Sequence, residues 1–150
     1  MRFLLVDRIV SMEPGVAIVA EKSLPASEEL FQDHFPGFPV VPGVLLTEMM
    51  AQAAGKALNA QRLPRGNAML VEIRSAKFRS WVRPDEVITL HAKIERNQPE
   101  FALASCHAEV AGRAVCSAQL MFAFRPREEF AVDYRDEVLE TFLASANPER

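Results

Sequence analysis

A histidine, a carboxylic acid and a carboxamide stand close together in the run His34-Phe35-Pro36-Gly37-Phe38-Pro39-Val40-Val41-Pro42-Gly43, which continues directly into Val44-Leu45-Leu46-Thr47-Glu48-Met49-Met50-Ala51-Gln52. Histidine is the side chain whose ordinary pKa suits a base near neutrality. Glu48 and Gln52 are one helical turn apart, in a segment with few polar side chains on any face, so both are expected inside the protein with their helix. A buried carboxyl keeps its proton more firmly than a solvated one, which is what a general acid near neutral pH requires. The same residues admit a plainer role. His34 can be a hydrogen-bonded loop histidine, and Glu48 can be satisfied by Gln52 or a backbone amide.

The elements that must hold these groups follow from pattern. Three prolines and two glycines stiffen the run before the helix, Pro42 sits where a helix can begin, and the helix extends over about Val44 to Leu58. Gly55 inside it predicts close approach of a neighbouring backbone. Residues 3 to 10 and 16 to 24 read as strands around Glu13-Pro14-Gly15. Beyond the Leu63-Pro64-Arg65-Gly66-Asn67 loop the period is two. Ile88, Leu90, Ala92 and Ile94 alternate with Thr89, His91, Lys93 and Glu95, which puts His91 on the solvated face. Residues 100 to 111 and 113 to 124 form a further pair, with the small side chains Ala102, Ala104, Cys106 and Ala108 on one face and His107 on the other, suited to a cross-strand contact. Val138, Leu139, Phe142 and Leu143 predict a last helix over Asp133 to Ala146. Long strands and one early apolar helix indicate an α+β fold, a curved antiparallel sheet about that helix.

The run HFPGFPVVPGVLLTEMMAQ resembles the signature of the 3-hydroxyacyl-acyl-carrier-protein dehydratases of bacterial fatty acid synthesis, in residue order and in spacing. Leu5-Val6-Asp7-Arg8-Ile9, Ala76-Lys77-Phe78-Arg79 with Val82-Arg83-Pro84, and Val110-Ala111-Gly112-Arg113 are similar to other parts of that family, so the resemblance covers about residues 3 to 125. It implies the hotdog fold. Residues 1–125 would be the dehydratase-like part, with an acidic extension at 126–150 in the same domain. Two departures are evident: Arg83-Pro84-Asp85-Glu86 stands where many members have Pro-Gly-Asp, so a turn of another shape is expected, and the extension is no family element.

Removing water from a 3-hydroxyacyl thioester needs a base for the proton on C2, an acid for the departing hydroxyl and a donor to the thioester carbonyl. The resemblance makes His34 the base, Glu48 the acid and the Gly43 backbone N–H the donor, with Gln52 orienting Glu48. A side chain at position 43 would obstruct the thioester. The resemblance also implies a homodimer, or a trimer of such dimers, in which each site takes its histidine from one subunit and its acid from the other. An acyl tunnel would be lined by some of Phe31, Phe35, Phe38, Leu45, Met49 and Met50. The partner would be an acyl carrier protein bearing a 3-hydroxyacyl chain. Arg74, Lys77, Arg79 and Arg83 supply positive charges with which to dock it. No cofactor and no metal are required. A non-catalytic hotdog module that binds acyl chains or acyl carrier protein, and a hotdog thioesterase, are the alternative readings.

Composition bounds the rest. The chain has 150 residues, 49% of them hydrophobic, which suits one domain with a sizeable core. A net charge of −3 and the lack of a basic stripe argue against nucleic acid, and no apolar run reaches the length of a membrane span. With no signal-peptide pattern at the N-terminus, a cytoplasmic location is expected. Residues 126 to 150 hold seven acids and three bases of the chain's 20 and 17, so the remainder is slightly basic. Cys106 and Cys116 lack metal-ligand spacing and are expected as reduced core thiols.

Overall fold

The computed structural model describes residues 1–146, so the last four residues of the expected extension lie outside the described residues. In chain order the elements are β1 (Arg8–Glu13), β2 (Ala17–Lys22), α1 (Leu30–Asp33), α2 (Gly43–Asn59), β3 (Asn67–Phe78), β4 (Ile88–Asn97), β5 (Ala102–Val110), β6 (Arg113–Arg125), a 3-10 turn at Arg127–Glu129, and α3 (Glu137–Ala146). The strands make one antiparallel sheet in the order β1-β2-β4-β5-β6-β3. It curves around α2, the hotdog arrangement.

Period-two alternation turns one face of each central strand toward α2. Ile18 and Ala20, Ile88, Leu90 and Ala92, and Leu120 and Phe122 are all buried there. The small side chains Ala102, Ala104, Cys106 and Ala108 have a packing reason: they oppose a helix whose inner side carries Ala53, Ala54 and Ala57 beside Leu46, Met49 and Met50. Small residues on both surfaces let helix and sheet approach closely. Thr47 is buried on α2, and its hydroxyl donates to the Gly43 carbonyl at 3.1 Å.

Three expectations need correction. Residues 3 to 7 are not part of the first strand, which begins at Arg8. They lie instead against α2, where Gln52 binds the backbone of Phe3 and Leu5. The last helix begins at Glu137 and not at Asp133, because Asp136 ends the preceding turn by accepting the Leu139 N–H at 3.0 Å, as an N-cap does. Gly55 meets no neighbouring atom among the described residues within 4 Å of where a Cβ would sit, so close approach between these residues is not what places it. Asp85 adopts φ +70°, a left-handed conformation that glycine tolerates most easily, so the aspartate occupies its turn with a glycine-like backbone. There its N–H reaches the Leu24 carbonyl at 2.8 Å and its carboxylate accepts the Ala26 N–H at 3.2 Å.

The tail is joined to the body by apolar and ionic contacts. Leu139 is buried in the core, Val138, Phe142 and Leu143 pack against it, and Lys56 of α2 meets Asp136 at 2.8 Å. Cys106 and Cys116 are buried free thiols; burial pushes the first up to about 12, with Cys116 adding to the shift, and the second up to about 11. Among the described residues no helix is long and apolar enough to cross a membrane.

Candidate active site

His34 is held by a turn that its neighbours define. It ends α1, donating its backbone N–H to Leu30 O at 3.0 Å, and the next four residues fold back on themselves. Phe35 and Phe38 exchange both backbone hydrogen bonds, at 2.9 and 2.8 Å, across Pro36 and Gly37. Proline fixes the second position of that turn and Gly37, at φ +77°, supplies the left-handed third, the pattern of a type II turn. Val40 then closes the loop on His34 twice. Its N–H donates to the His34 carbonyl at 3.1 Å and its carbonyl lies 3.1 Å from His34 Nδ1. A carbonyl can only accept, so Nδ1 carries the proton in the neutral ring and Nε2 keeps the lone pair. The imidazole stacks on Phe35 at 4.0 Å.

Pro42 is the N-cap of α2 and has no N–H and no capping side chain, which leaves the first helical amides, beginning with Gly43, facing a helix N-terminus free of intrahelical partners. A Cβ at Gly43 would lie 3.0 Å from the Phe78 ring, so within the subunit this ring, from the end of β3, crowds any side chain placed here. Glu48 and Gln52 are half-buried and not enclosed as expected, because α2 turns Leu46, Met49, Met50 and Ala53 to the sheet and leaves a stripe through Val44, Glu48, Gln52 and Gly55 away from it. On that stripe Gln52 Nε2 donates to Glu48 Oε1 at 3.2 Å and to Phe3 O at 3.1 Å, while its Oε1 accepts the Leu5 N–H at 2.9 Å. Every polar atom of Gln52 is engaged, and its orientation is thereby fixed.

The subunit does not bring all expected groups together. Glu48 and Gln52 open on a cavity of about 820 Å³ that runs between α2, Met69 and Leu70 of β3, and Tyr134 to Val138 of the tail, and His34 is not among its lining residues. Of the four basic residues, Arg79 and Arg83 share a cavity of about 400 Å³ with Phe78, Trp81 and Arg113, while Arg74 and Lys77 lie along β3 outside it. Arg74 is not a free charge, since Glu72 lies 3.5 Å away. The tunnel candidates divide: Phe31, Met49 and Met50 are core, and Phe35 and Phe38 are exposed.

A group that the sequence reading missed lies beside them. Val44 is 77% exposed and Trp81 65%, and the edge strand β3 exposes Met69, Val71, Ile73 and Phe78. The one available signal was the run Met69-Leu70-Val71-Glu72-Ile73, too apolar for a strand with a solvated face.

A family model described as a FabA-like domain matches residues 1–119. A 3-hydroxyacyl-[acyl-carrier-protein] dehydratase FabZ of Chloroflexus aggregans is 44% identical over 124 residues, covering 81% of this chain and 85% of the relative. The protein of the same name from Lactobacillus helveticus is 42% identical over 120 residues, covering 79% and 81%. Among solved structures, a hypothetical thioesterase with coenzyme A from Streptococcus pneumoniae aligns with a TM-score of 0.61 at 15% identity over 79% of this chain and 85% of the other, a likeness of fold. Matched along 119 of its 150 residues by the family model, the chain belongs to the FabA-like family, whose hotdog fold it has.

Proposed function

We propose that this protein removes water from 3-hydroxyacyl thioesters carried on acyl carrier protein, giving trans-2-enoyl thioesters, and does so as a homodimer whose sites each join His34 of one subunit to Glu48 of the other. Its relatives of 40% identity and above are named for this reaction. His34 Nε2 takes the proton from C2 as the C2–H electrons form the new double bond. Glu48 gives its proton to the C3 hydroxyl, the C–O bond breaks, and water leaves. The Gly43 N–H, aided by the α2 dipole, takes up charge developing on the thioester oxygen. Gln52 holds Glu48 in line. Reverse proton movements hydrate the enoyl thioester.

One observation carries the shared site: in a single subunit the acid opens on a cavity that the base does not line, while among the described residues Val44 of the same stripe and the apolar side chains of the β3 edge stand exposed. A strand edge and apolar surface of this extent have a physical motive to pair with a second copy. Pairing would also exclude water from Glu48, the burial that a general acid needs and that one subunit does not supply. Arg79 and Arg83, beside Trp81, are the residues proposed to meet the acidic carrier. The direct test is absorbance of the enoyl thioester on adding a 3-hydroxybutyryl or crotonyl carrier protein. Formation of enoyl product without release of free thiol supports dehydration; thiol release without enoyl product would identify a thioesterase.

A further inference from the structure

On the opposite side of the sheet from α2, two histidines and a glutamate meet with no part in the chemistry above. His91 of β4 and His107 of β5 are direct cross-strand partners, their rings stacked at 4.3 Å and only 6° from parallel. Glu109, two residues beyond His107 and therefore on the same face, accepts from or binds His91 Nε2 at 2.7 Å. One ligand atom from each of the three lies within 4.8 Å of the other two.

We propose that His91, His107 and Glu109 form a surface site for a divalent transition-metal ion of borderline softness, with zinc as its representative. Two imidazole nitrogens and one carboxylate oxygen are the donor set such ions favour, and three protein ligands leave a fourth tetrahedral position for solvent. A tetrahedral ion with bonds of about 2.0–2.1 Å sets its ligand atoms roughly 3.4 Å apart, so closing the site needs a small rotation of the exposed His107 and of the half-buried His91 and Glu109. The backbone already provides the register.

One further feature fits a cation better than a purely structural cluster. His107 makes no side-chain hydrogen bond among the described residues, so its ring is committed to nothing but the stack. The charged groups on the surrounding face are Lys93, two residues from His91 and opposite Ser105, Glu21 on β2, which is paired with Arg8, and Lys77 of β3, which lies beyond Ser117 of β6, the neighbour of His107.

The test is calorimetric titration of tag-free, full-length protein with ZnCl₂ at pH 7.5, repeated at pH 5.5. One ion per chain is expected, with affinity lowered at the acid pH because the imidazoles must be neutral to bind. His107→Ala and Glu109→Gln, both at surface positions, should weaken binding by roughly tenfold or more, and removal of a supporting group alone has effects of that size in metal sites. His34→Ala should bind zinc as the wild type does. Absence of binding at ~100 µM zinc, or binding that the His107 and Glu109 variants leave unchanged, would overturn the assignment; neither outcome bears on dehydration, which is read separately.

Discussion

Gln52 donates to Glu48 Oε1 at 3.2 Å while its own carbonyl oxygen holds the Leu5 N–H at 2.9 Å, so the N-terminal segment and the proposed acid are joined through one side chain. Gln52→Ala is expected to lower kcat by roughly tenfold to a hundredfold with a smaller change in KM, the scale set by slight misplacement of a reacting group. Gln52→Glu should place a like charge beside Glu48 and move the group that must be protonated to higher pH in the kcat/KM profile. A profile unchanged in shape would reduce Gln52 to a packing role.

Gly43 stands against Phe78, with 3.0 Å available to a Cβ. The Phe78 ring is 48% exposed and can yield, so Gly43→Ala is expected to cost no more than about 1 kcal/mol, and Phe78→Leu should remove that cost in the double variant. Thermal unfolding of the four proteins measures this coupling. Additive effects would mean that the ring is not the obstacle.

Much of this geometry was legible in the chain, for identifiable reasons. Helix α2 needed only the proline before it and a long apolar run, and it spans Gly43–Asn59 against an expected Val44 to Leu58. His91 and His107 fell on the solvated face because alternation fixes the face of a strand. Contacts between distant segments were not legible. The hydrogen bond of Gln52 to Leu5 spans 47 residues and depends on how the N-terminus crosses α2. Burial of Glu48 was inferred from the apolar character of its helix, yet a helix apolar all round can leave one stripe for a second copy of the chain. Strand β3 was obscured because its exposed Val71 and Ile73 break the inside-outside rhythm.

Asp136 serves two elements at once, capping α3 through one oxygen and meeting Lys56 through the other at 2.8 Å. Asp136→Ala should cost about 2 kcal/mol, combining a lost cap with a partly buried, unpaired lysine. Asp136→Asn keeps the cap and should cost less. Chemical denaturation of both variants distinguishes the two roles: equal losses would show that the cap contributes nothing, and an unchanged Asp136→Asn would show that the ion pair contributes nothing.

The two core thiols make stability fall in alkali. Their ordinary value is 9.0, against about 12 for Cys106 and about 11 for Cys116 in the folded chain, and burial is the leading cause for both. Folded pKa values above the unfolded ones mean that the native state binds more protons between pH 9 and 11, so stability is fully present below pH 9 and declines above it, by about 1.4 kcal/mol per pH unit for each thiol. Urea midpoints at pH 8.0 and 10.5 should record this decline, and Cys106→Ala should lessen it.

The composite site is the central claim, and subunit complementation tests it most directly. His34→Ala and Glu48→Gln should each lose roughly 10²–10⁴-fold in activity, the range of general acid or base catalysis, while remaining dimeric. After subunit exchange, about half the dimers are mixed, and each of those holds one site with a native His34 and a native Glu48 and one site lacking both. The account predicts recovery toward about one quarter of wild-type activity, appearing only as mixed dimers form. An exchanged sample in which mixed dimers are verified, yet which stays as inactive as its parents, would contradict it.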